Sequence, residues 1–309
     1  MNNRVEIDQT NVAVSHLEGY SLTPLDHTLV PRVAKFEFDG SSIPRFWQGE
    51  VFATRMFDAM QLAFPDGERM FIHAVRNYAD KVTDPVLKEQ VKHFIFQEAQ
   101  HGMAHTDFTE TLTKQGLKVK GVVKFIKKGM LLFQDKAPHK YQLASTVAAE
   151  HLTASLGEFM LSTENNLLSN ADPKMKAFYM WHGIEEVEHK AVAFDVYQQV
   201  AGGGYFTRSL ALALMYPMAI FPLMAGTMAM MHVDGELSIK ELRKGVIAMF
   251  GKQGIWRKTF PAVMSFYNPS FHPWQTGYPK GFHEWKKAYE ETNGDMEAAM
   301  YAAESAVSG

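Results

Sequence analysis

Apolar residues recur three or four positions apart from about Trp47 onward, which is the spacing of one face of an α-helix. Four long segments carry this pattern. Because proline removes a helix donor and clashes with the preceding turn, we expect the first segment to be interrupted at Pro65-Asp66-Gly67. Gly116 predicts the end of the second segment. The four segments are 48–64 with 68–80, 85–115, 141–168 and 173–200.

The second and fourth segments begin in the same way. Asp84-Pro85 and Asp172-Pro173 each place a side chain that accepts hydrogen bonds before a proline in the first helical turn. A glutamate follows each proline after 13 residues, and a histidine follows each glutamate after three. The two sets are offset by a constant 88 residues. Two copies of one helical hairpin explain this repeat.

The repeated glutamates and histidines have the spacing of metal ligands. Residues three positions apart share a helix face, so each pair presents a carboxylate and an imidazole at one place. One pair is Glu98 with His101, and the other is Glu186 with His189. A single E-x-x-H is common on solvated helices, but two copies at matched depth indicate a shared site.

Two further acids precede these pairs, one on each of the other two long segments. Glu68 and Glu150 complete the order Glu, E-x-x-H, Glu, E-x-x-H on four helices, although His151 or Glu158 could serve in place of Glu150. This order builds a two-metal carboxylate site inside a ferritin-like bundle. The sequence therefore predicts an all-α fold, a ferritin-like four-helix bundle with additional C-terminal helices.

The chemistry of the ligands limits the metal. Burying four glutamates without counterions would be very costly, and two divalent cations remove that cost. The chain has no cysteine, so the ligands are carboxylates and imidazoles, which suit iron or manganese better than Cu(I). We expect two metal ions, with iron favoured and manganese or a mixed Fe/Mn pair as alternatives. The pattern identifies no catalytic side chain beyond the ligands.

Three more histidines are candidates for the site. His182 lies four residues before Glu186 and extends the stripe to H-x-x-x-E-x-x-H, which Glu185 borders, and we include His182 among the metal ligands. This pattern is similar to that of the arylamine N-oxygenase family of di-iron proteins. His105 and His272 are candidates for cofactor binding, with a packing role as the alternative for both.

Several strings resemble the bacterial family called predicted metal-dependent hydrolase, whose members look ferritin-like. The resemblance runs from Phe64 to past Trp274 and implies a dinuclear metal centre, but it does not settle the activity. The strings are FPDGERMF (64–71), FQEAQHGMAH (96–105), AAEHLTA (148–154), HGIEEVEHKAVAFDVY (182–197) and SFHPW (270–274).

The second half of the chain carries an apolar segment. Residues 209–231 contain no charge and are long enough to cross a bilayer, although Pro217 and Pro222 favour a broken helix or hairpin. A buried helix pair closing the bundle, an element dipping into one leaflet and a single span are the three interpretations. Eight lysines against one acid in 114–140 suit either an anionic membrane surface or a solvated connection between helices.

These observations predict three parts: an irregular N-terminal arm (1–46), the metal-binding bundle (47–204), and an apolar hairpin, aromatic loop and C-terminal helix that pack on it (205–309). The net charge of −3 and the lysine-only basic stretch argue against nucleic acid. The polar N-terminus lacks an apolar signal core, so we expect a cytoplasmic protein or one peripheral to the inner membrane.

The favoured function is a di-iron oxidase or oxygenase that activates O2 to oxidise an apolar or lipid-like substrate with the help of an electron donor. The alternatives are a dinuclear metal-dependent hydrolase and a non-enzymatic metal-binding protein at a membrane surface. A homodimer is a further expectation about partners.

Overall fold

The computed structural model describes residues 23–24, 27–33, 35–38, 42–161 and 167–308, and all regular elements in these ranges are helical. The all-α prediction is confirmed. The helices are α1 (Val51–Gln61), α2 (Phe64–Ala79), α3 (Pro85–Lys114), α4 (Lys120–Lys136), α5 (His139–Leu161), α6 (Pro173–His189), α7 (Val192–Gln199), α8 (Tyr205–Asp234), α9 (Ile239–Phe250), α10 (Ile255–Ser265), α11 (Phe282–Glu291) and α12 (Met296–Ser308), with a 3-10 helix at Pro273–Thr276.

The predicted helix starts of α3 and α6 are confirmed. Asp84 accepts hydrogen bonds from the backbone N–H groups of Val86 and Leu87. Asp172 does the same for Lys174 and Met175. Each aspartate thereby satisfies two N–H groups that have no partner within the helix, and the two helices enter the bundle with matched geometry.

Two predicted boundaries were wrong. The break in the first segment lies at residues 62–63, and Pro65 sits in the first turn of α2, where a helix needs no N–H donor. Pro65-Asp66-Gly67 are therefore helical. The fourth segment divides after His189 at Lys190, whose buried ammonium donates to Glu158, Thr276 and the carbonyl of Gly277.

The apolar segment is one continuous helix, so the predicted broken helix or hairpin was wrong. Pro217 and Pro222 lie inside α8, which runs on for 30 residues. By length and composition α8 could cross a membrane. Only 17% of its most apolar 18-residue stretch is buried, so the interpretation as a helix pair buried in the bundle was wrong. Within the lysine-rich stretch 114–140, residues 120–136 form helix α4, which has no buried residue.

The four helices with the predicted ligands pack together. α2 packs on α3 and α5, while α6 packs on α5 and α3, an arrangement consistent with the predicted bundle. The α5–α6 contact is close because Gly157 meets Gly183: a Cβ at Gly157 would lie 2.8 Å from the carbonyl oxygen of Gly183. This approach brings Glu150 on α5 beside the histidines of α6.

The described residues of the predicted arm, 23–46, contain no helix or strand. Several of them pack on the bundle, and one apolar core contains Phe38, Trp47, Trp181, Met231 and Trp285. These residues come from all three predicted parts of the chain. The division into parts stays a prediction, but the parts share one interior.

Candidate metal centre

The bundle brings eight carboxylate and imidazole side chains into its interior, each at most 5% exposed. Helix α2 contributes one, α3 three, α5 one and α6 three. Seven of them are the predicted metal ligands and the eighth is a predicted cofactor-binding histidine. They are Glu68, Glu98, His101, His105, Glu150, His182, Glu186 and His189.

The potential ligand atoms form two adjoining groups, and the atoms of each group lie within 4.8 Å of one another. The first group is Glu98, His101, Glu186 and His189. The second group is Glu68, His105 and His182. The groups meet at His182, whose Nε2 lies 2.8 Å from Glu186 Oε1 and 4.0 Å from Glu68 Oε1. Adjoining groups of this kind are the arrangement that two metal ions need.

Several potential ligand atoms in these groups have no hydrogen-bond partner among the residues that the structure describes, although buried polar atoms almost always have one. Both carboxylate oxygens of Glu68 and of Glu98 are in this state, as are Nδ1 of His101, Nδ1 of His105 and Nε2 of His189. An unpaired buried polar atom costs about 1–3 kcal/mol. A bound group at this place would give these atoms partners. Carboxylate oxygens and neutral imidazole nitrogens fit divalent metal ions.

The electrostatics of the cluster agree with this interpretation. Burial, then the neighbouring carboxylates, raise the pKa of Glu68 and Glu98 well above the usual value. Burial, then the neighbouring imidazoles, lower the pKa of His101. Without metal, Glu68, Glu98 and His101 therefore favour their uncharged forms. Divalent cations would favour the ionised carboxylates and keep the imidazoles neutral, as metal ligation requires.

Glu150 belongs to neither group and stands behind His189. Its Oε2 lies 3.0 Å from His189 Nδ1, while His189 Nε2 points toward Glu98 Oε1 at 3.3 Å. Burial raises the pKa of Glu150 to about 7. Burial is the largest influence on His189 and disfavours its charged imidazole. The charge and hydrogen bond of Glu150, together with the charges of Glu186 and Glu185, outweigh burial and raise that pKa to about 9. Glu150 Oε1 has no hydrogen-bond partner and keeps the capacity to act as a ligand.

His101 is held from behind by Glu185. The Nε2 atom of His101 lies 3.1 Å from Glu185 Oε2, and Arg32 donates to Glu185 Oε1 at 3.0 Å. A carboxylate at Nε2 fixes the tautomer with the proton on that atom and leaves Nδ1 as the metal-facing acceptor. This is the arrangement by which a carboxylate behind a histidine orients the ring toward a metal.

Arg32 continues the network to Glu188. It donates to both oxygens of Glu188 at 2.8 Å, and Gln97 and Lys286 donate to the same carboxylate. Burial would raise the pKa of Glu188, but Arg32, with support from Lys286, lowers it to about 2. Glu188 is therefore a permanent anion that anchors Arg32 behind the cluster.

His105, a candidate for cofactor binding, belongs to the second group of potential metal ligands. Its Nε2 lies 2.6 Å from His182 Nδ1. Phe64 packs edge-on against His105, with ring centroids 4.7 Å apart, and also contacts the ring of His182 at 5.0 Å. Because Phe64 is only partly buried, it forms the wall between this group and the surface.

Other candidates lie outside the cluster. His151 is hydrogen-bonded to the carbonyl oxygens of Ala262 and Val263, and Glu158 pairs with Lys190. Neither takes the place of Glu150.

His272 also lies apart from the metal groups. Its Nε2 meets Asp195 at 3.2 Å, and its Nδ1 accepts from the backbone N–H of Trp274, which caps the 3-10 helix. Both ring nitrogens are thus used in packing the aromatic loop. The prediction that His272 binds a cofactor has no support from these contacts.

Arg32 is the residue of the site that sequence reasoning missed. It lies in a segment without helical periodicity, far from the ligands in the chain, and a single arginine there carries no signal. Glu185 was visible at the border of the ligand stripe. Only the fold shows that the two meet behind His101.

An all-α fold with this buried cluster defines a class of protein: helical proteins whose carboxylates and histidines form a site that could hold two metal ions. The comparison with family models gives the particular family. Residues 30–277 match the family described as predicted metal-dependent hydrolase, and the chain belongs to it. No curated protein and no solved structure gave a significant match. The family description favours the hydrolase alternative over the oxidase that the ligand pattern first suggested.

Proposed function

We propose that this protein is a hydrolase that works with two divalent metal ions held by the cluster. The observation that carries the proposal is the set of buried ligand atoms without hydrogen-bond partners in two adjoining groups. The family description points in the same direction. Metal ions, when bound, lower the pKa of a water molecule and polarise an ester or phosphoester.

The side chains then have separate tasks. Glu98, Glu186 and His101 hold the first position, with Nδ1 of His101 aimed by Glu185. Glu68, His105 and His182 would hold the second position, and both oxygens of Glu68 are available there as ligand atoms. Glu150 accepts a hydrogen bond from His189 Nδ1 and keeps that ring in place.

The test begins with the metal content of protein purified without chelators or added metal, measured by inductively coupled plasma mass spectrometry. Two ions per chain are expected. The loaded protein is then assayed anaerobically with carboxylic and phosphoric esters, against Glu98→Gln as the variant that loses a ligand. Turnover that needs metal and not O2 supports the hydrolase. Protein that takes up no metal, including Fe(II), Mn(II) and Zn(II) supplied to the purified chain, overturns it.

A second candidate is oxidation of an apolar substrate by O2, with electrons from a separate donor. The observation that favours it is the nitrogen content of the site, since His105 and His182 join the two histidines of the E-x-x-H pairs. Hard and borderline ligands without sulfur suit iron. Fe(II)-loaded protein that consumes O2, while showing no ester hydrolysis, would move the assignment to this candidate.

A further inference from the structure

One side of α8 is an unbroken row of exposed apolar side chains. Positions three or four apart share a helix face, and the row follows this spacing. Exposure is highest at Phe206 (85%) and Phe221 (73%). The row consists of Phe206, Leu210, Leu214, Met218 and Phe221, and Met228 and Val233 are exposed further along the helix. A soluble monomer rarely exposes an apolar surface of this length, so the row indicates a contact.

Helix α9, which follows α8 in the chain and packs like α8 on α1, carries exposed positive charge. Only Gly245 and Met249 of α9 are buried. Exposed Ile239, Val246, Ile247 and Phe250 alternate with exposed cations. Between residues 239 and 261 there are six cations against one acid, Glu241, although the whole chain carries a net charge of −3. The cations are Lys240, Arg243, Lys244, Lys252, Arg257 and Lys258.

This combination identifies the partner. A second copy of the chain would bring a like-charged α9 to the surface, since the same face meets itself in a twofold dimer. An anionic lipid surface accepts both features, because apolar side chains enter the acyl boundary while lysine and arginine contact the phosphates. We propose that α8 and α9 together dock this protein on an anionic membrane surface.

The packing of α8 sets its orientation there. One side of α8 lies along α1 and α5, and Leu212, Thr227 and Met231 are buried in that contact. Gly226 would meet Ala59 of α1 at 3.2 Å if it carried a Cβ. A helix held lengthwise against a bundle with charged interior residues does not cross the bilayer alone. It lies in the plane of the membrane with its exposed row facing the lipid.

The position of α8 also bears on the substrate, and this step rests on the proposed function. Helix α5 carries Glu150 and packs on α8, and α1 leads into Phe64, which covers His105 and His182. The membrane face and the partly exposed wall of the metal centre thus belong to adjoining elements. A substrate with an acyl or other lipid-like group, reached from the membrane, fits this placement.

Docking is tested by co-sedimentation with vesicles of phosphatidylcholine, with and without phosphatidylglycerol. The full chain is expected to pellet with the anionic vesicles only. Leu214→Ser with Phe221→Ser should lower binding about a hundredfold, since each buried apolar side chain contributes about 1.5–3 kcal/mol. Lys240→Glu with Arg243→Glu should lower it about tenfold or more, since each basic residue contributes about 1 kcal/mol near an anionic surface.

Two matched variants make the result specific. Tyr301→Ser on α12 removes an aromatic ring that is also exposed (52%) and should leave vesicle binding unchanged. Phe125→Ser does the same on the basic helix α4, and loss of binding in this variant alone would place the contact on α4 and overturn the proposal. Circular dichroism melts confirm that each variant is folded.

The other outcomes are equally clear. Wild-type protein that ignores anionic vesicles overturns the proposal. A dimer in sedimentation velocity that dissociates on Leu214→Ser with Phe221→Ser overturns it in favour of a contact between copies. Because vesicle binding is measured without turnover, it stands or falls separately from the metal chemistry.

Discussion

Glu98 is a fully buried carboxyl group with two unpartnered oxygens, so its charge is tolerated only next to a cation. Its pKa is raised, so folding of the metal-free protein is favoured while the carboxyl is protonated and weakens as pH rises above the unfolded value. Glu98→Gln should remove this loss and make the metal-free protein more stable at alkaline pH. The same substitution should reduce the stabilisation by added metal.

The measurement is urea unfolding of chelator-treated protein at pH 5 and pH 8, repeated with Mn(II) or Zn(II). Glu297→Gln, an exposed glutamate on α12, is the matched control and should change neither quantity. A Glu98→Gln protein that gains as much stability from metal as the wild type would contradict the ligand assignment.

We expect Glu185 to influence a bound metal through His101, whose Nε2 it contacts. Glu185→Gln should weaken metal binding by about 10–100-fold, the usual effect of losing a carboxylate behind a ligating histidine. Glu188→Gln is the informative control, because Glu188 contacts Arg32 but has no contact with His101. Competition with a fluorescent chelator gives both affinities. Equal losses of metal affinity in the two variants would contradict this prediction. They would mean that Glu185 acts through the folding of the region around Arg32 and not through its contact with His101.

At this scale the sequence predicts the candidate ligands that the structure brings together, but not the residues that hold them in place. The E-x-x-H spacing places two candidate ligands on one face of a helix whatever surrounds it, so the sequence identifies Glu98, His101, Glu186 and His189. Glu150 could be placed near the site, but not behind His189, since that depends on the rotation of α5 against α6. Arg32 depends on the path of an irregular segment, which no periodicity encodes.

Helices α5 and α6 approach each other backbone to backbone at Gly157 and Gly183. Gly157→Ala would place a methyl group 2.8 Å from a backbone carbonyl, which cannot rotate away. We expect a loss of about 1–3 kcal/mol in the free energy of unfolding as the helices separate. Gly121→Ala on α4 meets nothing within 4 Å, and it should be neutral or stabilising by the helix propensity of alanine. Thermal or urea unfolding of both variants decides the point.

The elements themselves were predictable where a cap or a periodic pattern was strong, as at Asp84, Asp172 and Gly116. The predictions failed at prolines. Pro65 begins a helix instead of breaking one, and Pro217 and Pro222 lie inside a helix whose other backbone hydrogen bonds persist. Proline fits the first turn of a helix without loss, but in the middle of a helix it removes a backbone hydrogen bond. The sequence alone does not say which position a proline takes.

At the scale of the whole molecule, His27 ties the N-terminal segment to the far end of the chain. Its ring nitrogens lie 2.7 Å from the hydroxyl of Tyr278 and 2.7 Å from the carbonyl of Glu188. Burial lowers its pKa to about 4. The folded protein therefore prefers the neutral ring, and stability that is present above pH 6.5 is lost as pH falls toward 4.

The expected loss from His27 is about 2 kcal/mol between pH 7 and pH 5, from the difference between the two pKa values. His27→Gln should be less stable at pH 7, because the packing is lost, but its stability should fall less on acidification. Urea unfolding of metal-free protein at both pH values isolates this difference from metal release. Parallel losses in the two proteins would show that other groups cause the acid sensitivity.

The meeting of Arg32 and Lys286 on Glu188 has a consequence for how the chain is made. These cations come from opposite ends of the sequence, and Glu188 is buried between them. During synthesis, α3, α5 and α6 emerge from the ribosome long before Lys286 does. The carboxylate is therefore only partly neutralised until the last helices arrive, and long-range contacts of this kind form late and slowly. A nascent chain halted before α11 would lack the contact between Lys286 and Glu188. We expect its bundle to be accessible to chaperones and proteases until α11 is made.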